Sequence, residues 1–152
     1  MGKHRKLGDK DFTFFNNIRD IPKEIQKTLE EEFDYNNPTT TIDNNEIYHY
    51  ITSRNENEEI EGFCIVHTIL DKSNVLYGYI DIIYVNNENR EIGIGSNLLE
   101  QSITFLKDEI GASTISYDAP KEKEEFLLDY GFVSSNKTKE KYNLTTYILS
   151  WS

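Results

Sequence analysis

A chain of 152 residues is long enough for one domain with a real core. Hydrophobic residues make up 37% and charged residues 28%, which excludes disorder throughout. The formal net charge of −11 argues against nucleic acid as a partner, because an acidic surface releases no phosphate counterions.

The same charge can steer a cationic amine towards a cleft, or simply keep the protein soluble. The single cysteine, Cys64, sits in an apolar run and has no intrachain disulfide partner, which suits a reducing compartment. A small buried core residue is its simplest reading, with a catalytic thiol as the alternative. Lys3, His4, Arg5 and Lys6 are followed by no apolar stretch of signal-peptide length. No run approaches the ~18 apolar residues of a membrane span. A cytoplasmic location without membrane contact is expected. There is no Cys/His cluster at metal spacing and no nucleophile elbow, so no metal is expected.

Taken in order, residues 1–10 form a polar, mostly basic lead. Residues 12–21, with Phe12, Phe14, Phe15 and Ile18, read as a first strand. Pro22 suits the first turn of a helix, and Ile25, Leu29 and Phe33 follow at i, i+4, i+8 as one apolar stripe. Residues 34–45, with Asn-Asn-Pro and Asp-Asn-Asn, read as a loop. Residues 46–54 read as a strand with Ile47, His49 and Ile51 on one face and Tyr48 and Tyr50 on the other. A polar hairpin leads to residues 60–70, whose near-continuous apolar run predicts a strand buried on both faces. A turn at 71–74 leads into a third strand over 75–85.

That third strand opens the most informative stretch. It is rich in β-branched and aromatic residues up to Val85. A polar turn and the hexapeptide Arg90-Glu91-Ile92-Gly93-Ile94-Gly95 follow. Leu98, Leu99, Ile103, Leu106 and Ile110 then recur at helical spacing. A helix start has unpaired N–H groups and partial positive charge, and glycines there let a phosphate approach the backbone. The spacing is not a P-loop, since no Gly-Lys-Ser/Thr follows. Nor is it a dinucleotide fingerprint, since Leu98 stands at the third glycine position.

Downstream, residues 112–117 read as a strand, 121–130 as a helix capped by Gly131, and Phe132-Val133 as a strand start. Residues 134–141 read as a polar loop, and 142–151 as a final strand.

Strand, Val85, five-residue spacing, Arg-x-x-Gly-x-Gly and apolar helix together resemble the acyl-CoA pyrophosphate loop of the GNAT N-acetyltransferase superfamily. The run from Phe126 to Phe132 resembles that family's aromatic–glycine signature. The resemblance implies an α+β fold over 1–152: a mixed, mostly antiparallel sheet of six or seven strands flanked by about four helices. The central strand and its neighbour should splay apart to admit the cofactor. It implies acetyl-CoA as co-substrate, a primary amine as acceptor, and residues 33–46 as an acceptor-lining segment. Homodimers are common in the family, so a homodimer is an expectation of the same kind.

The resemblance also assigns roles. Backbone groups of Ile92, Gly93, Ile94, Gly95 and Ser96 would hold the pyrophosphate, beside Glu91 and with charge from Arg90. Those of Ile83, Tyr84 and Val85 would run along the pantetheine arm. Asp81, a carboxylate within a partly buried strand, is the candidate base, expected on the face of Tyr79, Ile83 and Val85. His49 and His67 are alternatives. The family's acid, a tyrosine four residues before the glycine, is replaced by Leu127. Tyr117 and Tyr130 are the remaining candidates, Tyr130 competing with a packing role. The departure leaves a catalytically silent acyl-CoA-binding module as the alternative function.

Overall fold

The computed structural model describes residues 12–33, 46–86, 93–139 and 143–151. Seven strands form one sheet: β1 (Thr13–Phe15), β2 (Glu46–Arg54), β3 (Ile60–Leu70), β4 (Leu76–Val85), β5 (Thr114–Ala119), β6 (Val133–Lys139) and β7 (Leu144–Ser150). Their order is β1-β2-β3-β4-β5-β7-β6. Only the β4–β5 pair is parallel. Three α-helices are described: α1 (Lys23–Phe33), α2 (Ile94–Thr104) and α3 (Glu124–Asp129). This is the expected mixed sheet, with three α-helices among the described residues where about four were anticipated.

Both faces of the sheet are buried. β3 supplies Phe63 and Ile65 to one face and Cys64 and Val66 to the other, all at most 1% exposed. The first face packs against α1 through Ile25 and Leu29, the stripe seen in the sequence. Burying each such side chain contributes about 1.5–3 kcal/mol. The second face packs against α2, the π-helical segment that follows it and α3, through Leu98, Leu99, Leu106 and Leu127. α2 runs on into a π-helical segment, Phe105–Ile110, which ends where Gly111 takes a φ of 87° and its amide donates to Leu106 O at 3.1 Å.

Three sequence expectations are corrected. Residues 12–21 form only a three-residue strand followed by a 3₁₀ turn, Ile18–Asp20. Asn17 diverts the chain: its Oδ1 accepts the Arg19 amide at 2.9 Å and its carbonyl accepts the Asp20 amide at 2.8 Å. The polar stretch 134–141, expected as a loop, contributes most of β6. It is an edge strand beside β7 with a register shift between Ser134 and Thr138, and the Ser135 hydroxyl donates to Thr146 O at 2.9 Å. An edge strand need bury little, so polarity does not forbid it. The strand expected at 112–117 lies two residues later, at Thr114–Ala119.

The fourth correction concerns β4. Ile65 pairs with Ile82 but Val66 pairs with Ile80, so Asp81 is the extra residue of a β-bulge. The bulge reverses the alternation. Tyr79 is opposite His67, and Ile82 is on the α1 face, while Ile80 and Ile83 contact the α2 face. Tyr79 therefore does not share a face with Ile83 and Val85, as strict alternation predicted.

Candidate active site

The β4–β5 ladder is short. It joins Gly78, Ile80 and the residue between them to Ile115–Tyr117, and ends at the Ile80–Tyr117 pair. The bulge at Asp81 follows at once on β4, and the two strands part. A cavity flanks this opening on each face of the sheet.

On the α2–α3 face lies a cleft of about 590 Å³. Ile83, Tyr84 and Val85 of β4 line one side, and Gly93, Gly95 and Ser96 line the other at the start of α2. Tyr117 of β5 and Phe126 of α3 close it, with Glu122 and Lys123 at its margin. Gly93 has φ 85°, a left-handed conformation that suits glycine and turns the chain into the helix. A Cβ on Gly95 would meet only Val85 Cγ2, at 3.7 Å, so the wall there is bare backbone. The first intrahelical bond runs from the Asn97 amide to Gly93 O at 3.1 Å. The preceding amides of the first turn have no carbonyl within the helix to serve. Ile94 turns its side chain into the core. Arg90, Glu91 and Ile92 lie outside the described residues.

On the α1 side lies a second cavity of about 400 Å³. His67, Tyr79 and Asp81 line it from β3 and β4, and Ser116, Asp118 and Thr146 from β5 and β7. Asp81 holds His67 Nδ1 between its two oxygens, at 2.8 and 3.0 Å. Burial raises the Asp81 pKa, and the hydrogen bond to His67 opposes that rise. Asp118 and Glu46 add like charge in the same upward direction.

The structure thus brings Asp81 and Tyr117 to one opening, Asp81 lining one cavity and Tyr117 the other. Burial pushes the Tyr117 phenol well above its ordinary value, so it stays protonated at neutral pH. Tyr130 lines neither cavity. Its hydroxyl donates to Glu100 Oε2 at 2.8 Å, joining the end of α3 to α2. Leu127 is fully buried in the core. His49 packs edge-on against Phe105, with ring centroids 4.8 Å apart, away from both cavities. Sequence reasoning missed Ser116, Asp118 and Thr146, which the pairing of β5 with β7 brings to the opening, and Phe126, which the packing of α3 brings there.

The family model for an acetyltransferase (GNAT) domain matches residues 17–147. The chain belongs to the GNAT acetyltransferase family. Solved structures share the fold of this GNAT chain. An acetyltransferase from Bacillus cereus is 17% identical, with 98% of each chain covered and a TM-score of 0.58. Escherichia coli ElaA is 11% identical, covers 91% of this chain and 98% of its own, and has a TM-score of 0.61. Arabidopsis thaliana Naa50, in complex with the bisubstrate analogue CoA-Ac-MVNAL, is 19% identical, covers 93% and 99%, and has a TM-score of 0.57. No curated protein sequence matches the chain.

GNAT proteins use acyl-CoA, and the described residues fit such a group. The cleft offers an apolar wall at Ile83 and Val85 for an extended arm, and a glycine-lined helix start for a diphosphate.

Proposed function

We propose that the chain transfers an acetyl group from acetyl-CoA to a primary amine. One observation carries this reading: two cavities flank a single break between β4 and β5 from opposite faces, with a carboxylate lining one and a phenol lining the other. A transferase needs that division, because donor and acceptor must reach one carbonyl carbon from different directions.

Acetyl-CoA supplies the activated thioester when bound. Its diphosphate would rest on the first-turn amides of α2 at Gly93, Gly95 and Ser96, with Arg90 adding charge. Ile83, Tyr84 and Val85 would run beside the pantetheine arm. The acceptor would enter from the second cavity, whose Asp81 and Asp118 favour an ammonium ion. The ammonium must lose a proton before it can attack, and the Asp81 side of the opening would receive it. Tyr117, protonated and buried at the other side, would donate to the departing thiolate.

The test is thiol release from acetyl-CoA over a broad panel of primary amines, with the product identified by mass spectrometry. Amine-dependent release with an N-acetylated product is expected. Binding of acetyl-CoA without release from any amine would overturn the transferase reading in favour of the silent binding module.

A further inference from the structure

The imidazole of His67 is held at the opening by two rings and a carboxylate. It lies between two tyrosine rings, with centroids 4.7 Å away on each side: Tyr48 of β2 at an interplanar angle of 22° and Tyr79 of β4 at 10°. Cross-strand pairing produces this stack, since His67 is opposite both Tyr48 and Tyr79 in register. The rings fix the imidazole plane, and the bulge at Asp81 fixes which edge is held. The extra residue lets the carboxylate turn to His67, with Nδ1 at 2.8 Å from Oδ2 and 3.0 Å from Oδ1. Both carboxylate oxygens are thus engaged with one ring nitrogen. Nε2 has no hydrogen bond to any described residue. His67 nevertheless lines the 400 Å³ cavity, with 12% of its side chain exposed.

We propose that His67 is the proton acceptor for the amine, and that Asp81 is its positioning residue rather than the base itself. The proposal rests on the acetyltransferase reading above and names a group within that same site. An ionised Asp81 accepts the Nδ1 proton and leaves the Nε2 lone pair open to the cavity. The acceptor's ammonium gives one proton to Nε2 and becomes a neutral amine. Its nitrogen lone pair forms the C–N bond to the thioester carbonyl carbon, the C–S bond breaks with its electron pair going to sulfur, and the second N–H proton ends on the thiol. Imidazolium then returns its proton to water. A histidine suits this step because its ordinary pKa lies near neutral pH, whereas a carboxylate's lies well below it. Among the described residues, the groups facing the pair include Tyr48 and Glu46 of β2, Tyr79 of β4 and Asp118 of β5. None of these is a cation.

Two measurements test this. The first needs no acceptor: long-range ¹H–¹⁵N spectra of the free protein, with the His67 signal assigned by its loss in His67→Gln. Neutral His67 is expected to carry its proton on Nδ1, and to lose that preference in Asp81→Asn. A neutral ring protonated on Nε2 would overturn the proposal. The second uses the panel amine that gives the fastest thiol release. His67→Gln is expected to bind acetyl-CoA as the native chain does, while kcat falls about 10²–10⁴-fold and the acidic limb of its pH profile disappears. Asp81→Asn is expected to lower kcat while acetyl-CoA binding stays native, because the imidazole loses the carboxylate that orients it. Native acetyl-CoA binding and turnover with an unchanged limb in His67→Gln would remove the His67 assignment and leave the transferase standing. Absence of acetyl-CoA binding by the native chain would instead remove the transferase reading itself, and the His67 role with it.

Discussion

Ile80 of β4 and Tyr117 of β5 form the last pair of the parallel ladder between those strands. One residue beyond Ile80, the bulge at Asp81 reverses which way β4 side chains point. Tyr117 therefore stands where the two strands part and lines the cleft on the α2–α3 face. Tyr117 is 5% exposed, and burial holds its proton on.

Tyr117→Phe removes the hydroxyl and keeps the packing surface. Acetyl-CoA affinity is expected to stay within a few-fold of the native value, while kcat falls by about 10²-fold or more. Stopped-time thiol assays and calorimetry on the same preparation check this. Unchanged kcat would reduce Tyr117 to a wall of the cleft.

Leu127, which the sequence resemblance sets at the position of the family's acid tyrosine, is fully buried against the α2 face of the sheet. Leu127→Ala is expected to lower unfolding free energy by about 2–5 kcal/mol, through lost burial and a residual cavity. Urea denaturation measures this. A change below about 1 kcal/mol would mean that the site collapses around the smaller residue.

His49 is mostly buried among rings, edge-on to both Phe105 and Phe14, and burial lowers its pKa. The folded state therefore resists protonating it more than the unfolded chain does. The sign follows from linkage: this contribution is fully present above the unfolded value near 6.5 and is lost as pH falls through the lower folded value. His49→Phe, which cannot ionise, is expected to flatten the fall in Tm on going from neutral to mildly acidic buffer. A parallel fall in both proteins would place the acid sensitivity elsewhere.

Much of this fold can be read in the sequence where the signal is local. The stripe of Ile25 and Leu29, the doubly buried run from Phe63 to Val66 and the glycine-led start of α2 all reflect periodicity or backbone conformation within a few residues. The bulge is different. Asp81 is extra only relative to β3, so its orientation depends on a register that no local pattern records. His67 was a candidate without a partner for the same reason: its contacts with Tyr48, Tyr79 and Asp81 come from two other strands, β2 and β4. β6 eluded the periodicity argument because an edge strand facing solvent carries no apolar alternation.

The central claim is that the cleft between β4 and α2 holds the acyl-CoA arm and diphosphate. Gly95 tests it most directly. Unlike Gly93, it has no positive φ, so a larger residue meets no backbone strain there. A phenylalanine would instead project towards Val85 and fill the cleft. Calorimetric titration of acetyl-CoA into the native chain and into Gly95→Phe, with circular dichroism confirming that both are folded, is the decisive measurement. The account predicts saturable binding by the native chain and at least a hundredfold weaker binding by the variant. Equal binding by both folded proteins would contradict it.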